Sequence, residues 1–508
     1  MNPELPFSFQ HLSLPGGVRA AMERNPSKIA LKHRDQTRTY RELLARIDQV
    51  CGGMLADLGL QHGQHAAIAA ANSIEYLEIV LGASQAGIGT ATINPRLSPA
   101  EIAAICDDAE ARVLFVDERT AEALQGQKLS TVQRTIVIGQ GFDDWLSHCA
   151  PLEQLPEVAE WDTFTIPYTS GTTGKPKGVL VPHRSRVISL YAMAVEYGCF
   201  TPDDRFLAIA PICHGAGMIF ALAPIFFGGY AEIMDKFEPE EVIRKFKSEK
   251  ITGFFGVPTH FHAIFALEPG FLEEERSATL HTIISNAAAL PQAMKEKIIG
   301  HFGQILHETY GSTEASIVSN LRPADQLRKQ ACVGQAFPGT LIEIRREDGS
   351  ICEPDEVGEL FVQSSCLFNG YWKRPDETAE AFQEGWVTVG DLAKKDAEGH
   401  LYIVDRIKDM VISGGINIYP RDIEEVLAQC PEVSDGAVIG VPDEKWGERL
   451  KAFIVRSPGS EIDADSVQAF CDGRISAMKI PKDIEFIDVL PRNASGKVLK
   501  TELRKLCE

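Results

Sequence analysis

Short apolar runs of strand character alternate with helix-length segments along most of this chain, and that alternation constrains the fold more than any other feature. Residues 72–86 read as an apolar helix, and residues 111–117 (ARVLFVD) as a strand after it. Residues 239–250 have an amphipathic helical pattern that runs into the strand-like stretch 251–257 (ITGFFGV). Residues 280–285 are a further apolar strand, and Pro291 opens the next helix. Strands alternating with helices favour layered α/β sheets with mostly parallel pairing. There is no internal repeat and no low-complexity tract, so the expectation is an α/β fold.

A length of 508 residues with 44% apolar side chains allows more than one domain and large cores. The net charge of −21 argues against gripping duplex DNA and against docking on anionic lipid by charge alone. Eleven cysteines without a CxxC pair suit reduced thiols, and their odd number disfavours a complete disulfide framework. The opening MNPELPFSFQ lacks a basic region followed by an apolar core, so a cytoplasmic enzyme without a secretory signal is expected. Residues 206–231 contain no Asp, Glu, Lys or Arg and are long enough for a membrane span. Pro211, His214, Gly215, Gly217, Pro224, Gly228 and Gly229 interrupt them, which predicts a buried strand, a turn and a short buried helix, and no transmembrane segment.

Residues 168–178 read YTSGTTGKPKG. Glycines let a loop turn several backbone N–H groups towards one anion. The hydroxyls of Thr169, Ser170, Thr172 and Thr173 add donors, and Lys175 and Lys177 add positive charge. Together they form a candidate cradle for a polyphosphate, with a polar surface turn as the plainer reading. The loop is not a Walker A motif, because two residues separate Gly171 from Gly174 and Pro176 follows Lys175.

Five further stretches follow in order: YGSTE at 310–314, GWVTVGD at 385–391, DRIKD at 405–409, SGGINIYPRDIEE at 413–425 and PRNASGK at 491–497. With the loop, they resemble the signature of the adenylate-forming superfamily, which includes acyl- and aryl-CoA synthetases, firefly luciferase and the adenylation domains of peptide synthetases. The resemblance implies a large N-terminal domain of layered α/β sheets over 1–404, a hinge at 405–409 and a small mobile α+β domain over 410–508. It also implies ATP, Mg2+ and CoA as the small-molecule set.

The motif positions imply roles. Thr169, Ser170, Gly171, Thr172, Thr173, Gly174, Lys175 and Lys177 match the phosphate loop. Glu314 matches the Mg2+ ligand, Thr313 a donor to the α-phosphate, and Tyr310 and Gly311 the adenine side. Asp391 matches the ribose contact and Arg406 a second ribose or phosphate contact, although Val389 stands where the pattern usually has Thr. Lys497 matches the catalytic lysine of adenylation, Lys408 the hinge, and Gly414 and Gly415 the loop lining the thiol tunnel. Trp446, Lys479 and Lys482 are candidate contacts for CoA. His214 matches a bulky residue beside the substrate carboxylate. Asn286 and Ala287 begin an Asn-Ala-Ala-Ala run where the family usually has Gly-Gly-Ala, so methyl groups stand between the adenine and acyl positions.

The absence of acidic residues over 206–231 argues against an α-amino acid substrate, whose buried ammonium would need a partner. Phe220, Phe226, Phe227, Phe254 and Phe255 are candidates for an apolar pocket. The resulting expectation is an AMP-forming ligase that joins an apolar monocarboxylic acid, fatty or aryl, to CoA. A stand-alone enzyme loading a carrier-protein phosphopantetheine and a non-catalytic ATP- or acyl-binding homologue are the alternatives. Oligomeric state is left open, with a homodimer as one reading.

Overall fold

A computed structural model of the chain describes residues 12–170, 176–413, 416–443, 445–492 and 498–507. Two large sheets carry the expected parallel pairing. The first runs in the order Gln335–Ala336, Ser316–Leu321, Leu306–Ser312, Thr282–Ser285, Gly253–Gly256, Arg205–Ala208, Tyr230–Ile233, Ile29–His33, Gln36–Thr39, parallel except at its ends. The second places Arg134–Val137, Ala111–Val116, His65–Ala69, Gly89–Ile93 and Thr163–Ser170 side by side in parallel.

Alternation of side chains along each strand sets the layers. Ala66 and Ile68 face a core shared with Phe206 and Ala208 of the other sheet, while Ala67 and Ala69 pack outward. Leu207 and Ile209 likewise belong to a separate outer cluster. The shared core is filled by helices Leu14–Arg24, Tyr40–Gly52, Ile74–Gln85, His183–Tyr197 and Gly215–Phe227, which lie between the two sheets. A helix in that position has no solvent face, and every residue of Ile74–Gln85 is buried. Two carboxylates are buried with it: Glu75, and Glu78, which is met by Arg38 at 3.1 Å and Arg46 at 2.7 Å.

The uncharged stretch resolves as expected into the strand Arg205–Ala208, a turn and the buried helix Gly215–Phe227. Among the described residues no helix is long and apolar enough to cross a membrane. The expectation of mostly parallel pairing holds for these two sheets and fails after residue 339. From there the chain builds an antiparallel six-stranded sheet over 340–406 and a smaller five-stranded sheet over 411–486, which has one parallel pair. The cause is local. Gly399, at φ +82°, closes the turn between Asp391–Lys395 and Leu401–Arg406, a hairpin signal that needs no crossover helix.

Candidate active site

The carboxyl ends of the parallel strands converge on one region, where open α/β sheets present their loops. Tyr310 lies near the end of a strand of the first sheet, Asn286 and His214 follow two others, and Thr163–Ser170 belongs to the second sheet. Asp391 reaches the same region from the antiparallel sheet. It is 4% exposed, sits opposite Arg406 across the ladder and receives the Arg406 Nε at 3.1 Å. The Tyr310 hydroxyl donates to its other oxygen. Burial, with the neighbouring Asp391 carboxylate, pushes the Tyr310 phenol far above its ordinary range, so it stays a donor. Glu314 also acts electrostatically on that phenol, which places Tyr310, Glu314, Asp391 and Arg406 in one neighbourhood.

The hairpin between Leu306–Ser312 and Ser316–Leu321 presents Thr313 and Glu314 at its turn, with Ser312 Oγ accepting the Ala315 N–H at 3.0 Å. Gly311 has a packing reason to be glycine: a Cβ there would lie 2.0 Å from the Ser316 carbonyl oxygen. Glu314 is fixed twice. Its carbonyl accepts the Phe368 N–H at 2.9 Å, and its Oε1 accepts the Tyr371 hydroxyl at 2.9 Å. Sequence reasoning missed Tyr371, because its partner lies fifty-seven positions away and no local spacing betrays it.

Thr169 pairs with Lys177, and Ser170 with Pro176, so the phosphate-type loop leaves and returns on one two-stranded ribbon. The returning limb is tied to the Tyr371 segment by Trp372 N–H to the Gly178 carbonyl at 2.8 Å and Leu180 N–H to the Gly370 carbonyl at 2.9 Å. Lys177 itself lies 5.2 Å over the Tyr371 ring and pairs with Glu377. Its charge is engaged by these two neighbours in this structure. Gly171, Thr172, Thr173, Gly174, Lys175, Gly414, Gly415 and Lys497 lie outside the described residues.

Asn286 spans the gap to the next strand, donating from Nδ2 to Thr309 Oγ1 at 2.9 Å and accepting the Ala287 N–H. Ala287 adopts φ +76°, a conformation suited to glycine. His214 caps the helix Gly215–Phe227 with its backbone, and its Nε2 is buried without a hydrogen-bond partner among the described residues. Burial lowers its basicity, as does Arg96, so the ring is neutral near pH 7. Phe254 and Phe255 point to opposite faces of their strand: Phe255 stacks on Phe220 at 4.3 Å in the central core, while Phe254 belongs to the outer cluster. The five phenylalanines therefore do not line one pocket.

Lys408 lies in the short turn Ile407–Asp409, its carbonyl accepting from Arg504, whose Nη2 also reaches Asp409 at 2.9 Å. Trp446 is 48% exposed beside a strand turn, Lys479 pairs with Asp422 at 2.5 Å, and Lys482 is exposed.

A model of the AMP-binding enzyme family matches residues 18–372, and one of the AMP-binding enzyme C-terminal domain matches residues 422–497. The chain belongs to this family: it is an AMP-binding enzyme of the adenylate-forming superfamily, in the branch of the AMP-forming acyl-CoA ligases. It is 34% identical to a feruloyl-CoA synthase of an Amycolatopsis species, over 95% of this chain and 96% of that protein. It is also 34% identical to the long-chain-fatty-acid–CoA ligase FadD13 of Mycobacterium tuberculosis, over 93% of each chain. Among solved structures it resembles ATP-bound MatB from Rhodopseudomonas palustris with a TM-score of 0.88 at 28% identity, covering 97% of this chain and 98% of that one. Against apo MatB, at the same coverage and 29% identity, the TM-score is 0.78.

Proposed function

We propose that this enzyme activates an apolar monocarboxylic acid, fatty or aryl, with ATP and passes the acyl group to CoA. The observation that carries this reading is the convergence of Asp391, held by Tyr310 and Arg406, with Glu314, held by Tyr371. A buried carboxylate with hydrogen-bonding capacity suits a pair of ribose hydroxyls. Glu314 suits Mg2+, because Tyr371 fixes one oxygen and leaves the second for a cation. Mg2+ is commonly held by one or two carboxylates together with substrate phosphate oxygens and water. Bound there, Mg2+ supplies positive charge against the phosphates.

In the first step a carboxylate oxygen of the acid bonds to the α-phosphorus and pyrophosphate leaves. In the second the CoA sulfur attacks the acyl carbonyl, the thiol proton is lost and AMP departs. Thr313 and Lys497 are the proposed donors to the α-phosphate and carboxylate oxygens, where charge builds in the transition state. His214, neutral at pH 7, packs beside the acid. Residues 1–404 form the proposed adenylation domain, 405–409 the hinge and 410–508 the moving domain, whose Gly414 and Gly415 line the thiol's path. Free thiols at all eleven cysteines suit a cytoplasmic setting.

A panel of fatty, aryl and amino acids, scored by AMP release with and without CoA, tests the reading. Release that needs both an apolar acid and free CoA is expected. Adenylate that forms but discharges only onto a carrier-protein pantetheine overturns the choice of acceptor, and no acid-dependent pyrophosphate release overturns the reading itself.

A further inference from the structure

The helix Gly215–Phe227 begins without a side-chain cap, so its opening N–H groups present an uncompensated positive end. Beside that end stands Arg186, from helix His183–Tyr197. It is 4% exposed, and its Nη2 lies 3.4 Å from the position a Cβ on Gly215 would take. Among the described residues its buried Nε has no hydrogen-bond partner, and no carboxylate pairs with the guanidinium. Among the described residues the one titratable neighbour acting on it is the Cys366 thiol, which burial pushes up and keeps neutral. Burial lowers the guanidinium only to about 10, so it remains charged at neutral pH.

A buried cation without a counter-charge is costly, and the positive end of a helix dipole beside it adds to the cost. One anion relieves both, since a guanidinium fork and helix N–H groups are complementary to a carboxylate. The site is built on two elements of the central core, and Gly215 directly follows His214.

We propose that Arg186 and the N-terminus of the helix Gly215–Phe227 form a buried receptor for a carboxylate of the acid substrate. The inference rests on the reading of the chain as an acid-activating enzyme and adds a residue that sets which acids it accepts. The carboxylate is either the one to be activated, docking before ATP is attacked, or a second one at the far end of the acid.

Arg186→Met and Arg186→Lys in the full chain, with matched mono- and dicarboxylic acids, decide the matter. Loss of charge-assisted hydrogen bonds should raise the acid KM in pyrophosphate exchange by about 10- to 100-fold in Arg186→Met. The same variant should change kcat and the ATP KM by less than about threefold, and Arg186→Lys should recover part of the loss. The unliganded Met variant should unfold no earlier than wild type, because the substitution removes an unpaired buried charge. An equal loss for both acid series identifies the reacting carboxylate, whereas a wild-type preference for diacids that vanishes in Arg186→Met identifies a second one. An acid KM within twofold of wild type overturns the receptor, and so does a lowered unfolding temperature with acid and ATP KM rising together. Wild-type enzyme without acid-dependent exchange sinks the broader reading; calorimetric titration of the same acids into wild type and Arg186→Met then decides the receptor, which equal binding, or none, overturns.

Discussion

Ala287 holds φ +76° directly after the strand Thr282–Ser285, and its N–H is taken by its own neighbour Asn286. An L side chain in this left-handed region costs about 1–2 kcal/mol. Glycine would release that strain but add roughly 0.5–1 kcal/mol of chain entropy to the unfolded state. Ala287→Gly should therefore stabilise the protein slightly, by up to about 1 kcal/mol in urea unfolding. It should also broaden the range of acids accepted, since the methyl occupies space beside the acyl position. An unchanged chain-length profile would show that this backbone does not limit the pocket. The departure was visible in the sequence as Asn-Ala-Ala-Ala, but the positive φ was not, because alanine gives no warning of it. Tyr310, Asp391 and Arg406 were legible as separate motif positions, and the structure joins them. Tyr371 and Arg186 were not legible: their importance lies in partners, or missing partners, that only the tertiary fold brings near.

Lys295 and Glu308 form an ion pair at 2% and 5% side-chain exposure, joining helix Gln292–Phe302 to strand Leu306–Ser312. Glu308 also accepts the Leu290 N–H at 3.1 Å, so one carboxylate ties strand, helix and the loop that carries Asn286 and Ala287. Lys295→Met should cost about 3–5 kcal/mol, because it strands a buried carboxylate. Adding Glu308→Leu should recover much of that stability without restoring the loop tether, leaving ATP binding weaker than in wild type. A single-variant loss below about 1 kcal/mol in urea unfolding would show that this pair does not hold the elements together. At this scale the parallel elements were legible because apolar runs flank amphipathic helices: Ala111–Val116, Pro239–Ser248, Gly253–Gly256 and Thr282–Ser285 all fall where the pattern predicts. The antiparallel strands after residue 339 were not, since their side chains are only half buried and their alternation is diluted by turns such as 396–399.

For the whole molecule, the two proposed steps place different groups at one carbonyl: Lys497 in the first, the loop of Gly414 and Gly415 in the second. Both lie in sequence after the Ile407–Asp409 turn, so the proposal requires that segment to move between steps. Lys408→Pro fixes φ near −65° and removes an N–H, which stiffens the joint. It should leave pyrophosphate exchange within about tenfold of normal and slow thioester formation by about a hundredfold or more. Lys497→Ala should do the reverse, suppressing exchange while pre-formed acyl-adenylate still reacts with CoA. Equal slowing of both steps in Lys408→Pro would remove the hinge from the account.

The central claim is that the acid's own oxygen bonds to the α-phosphorus of ATP. Its most direct test is a turnover with a substrate acid labelled with 18O in both carboxylate oxygens, followed by mass analysis of the products. The account predicts one labelled oxygen in each AMP and none in pyrophosphate. Unlabelled AMP, or label appearing in orthophosphate beside ADP, would contradict it.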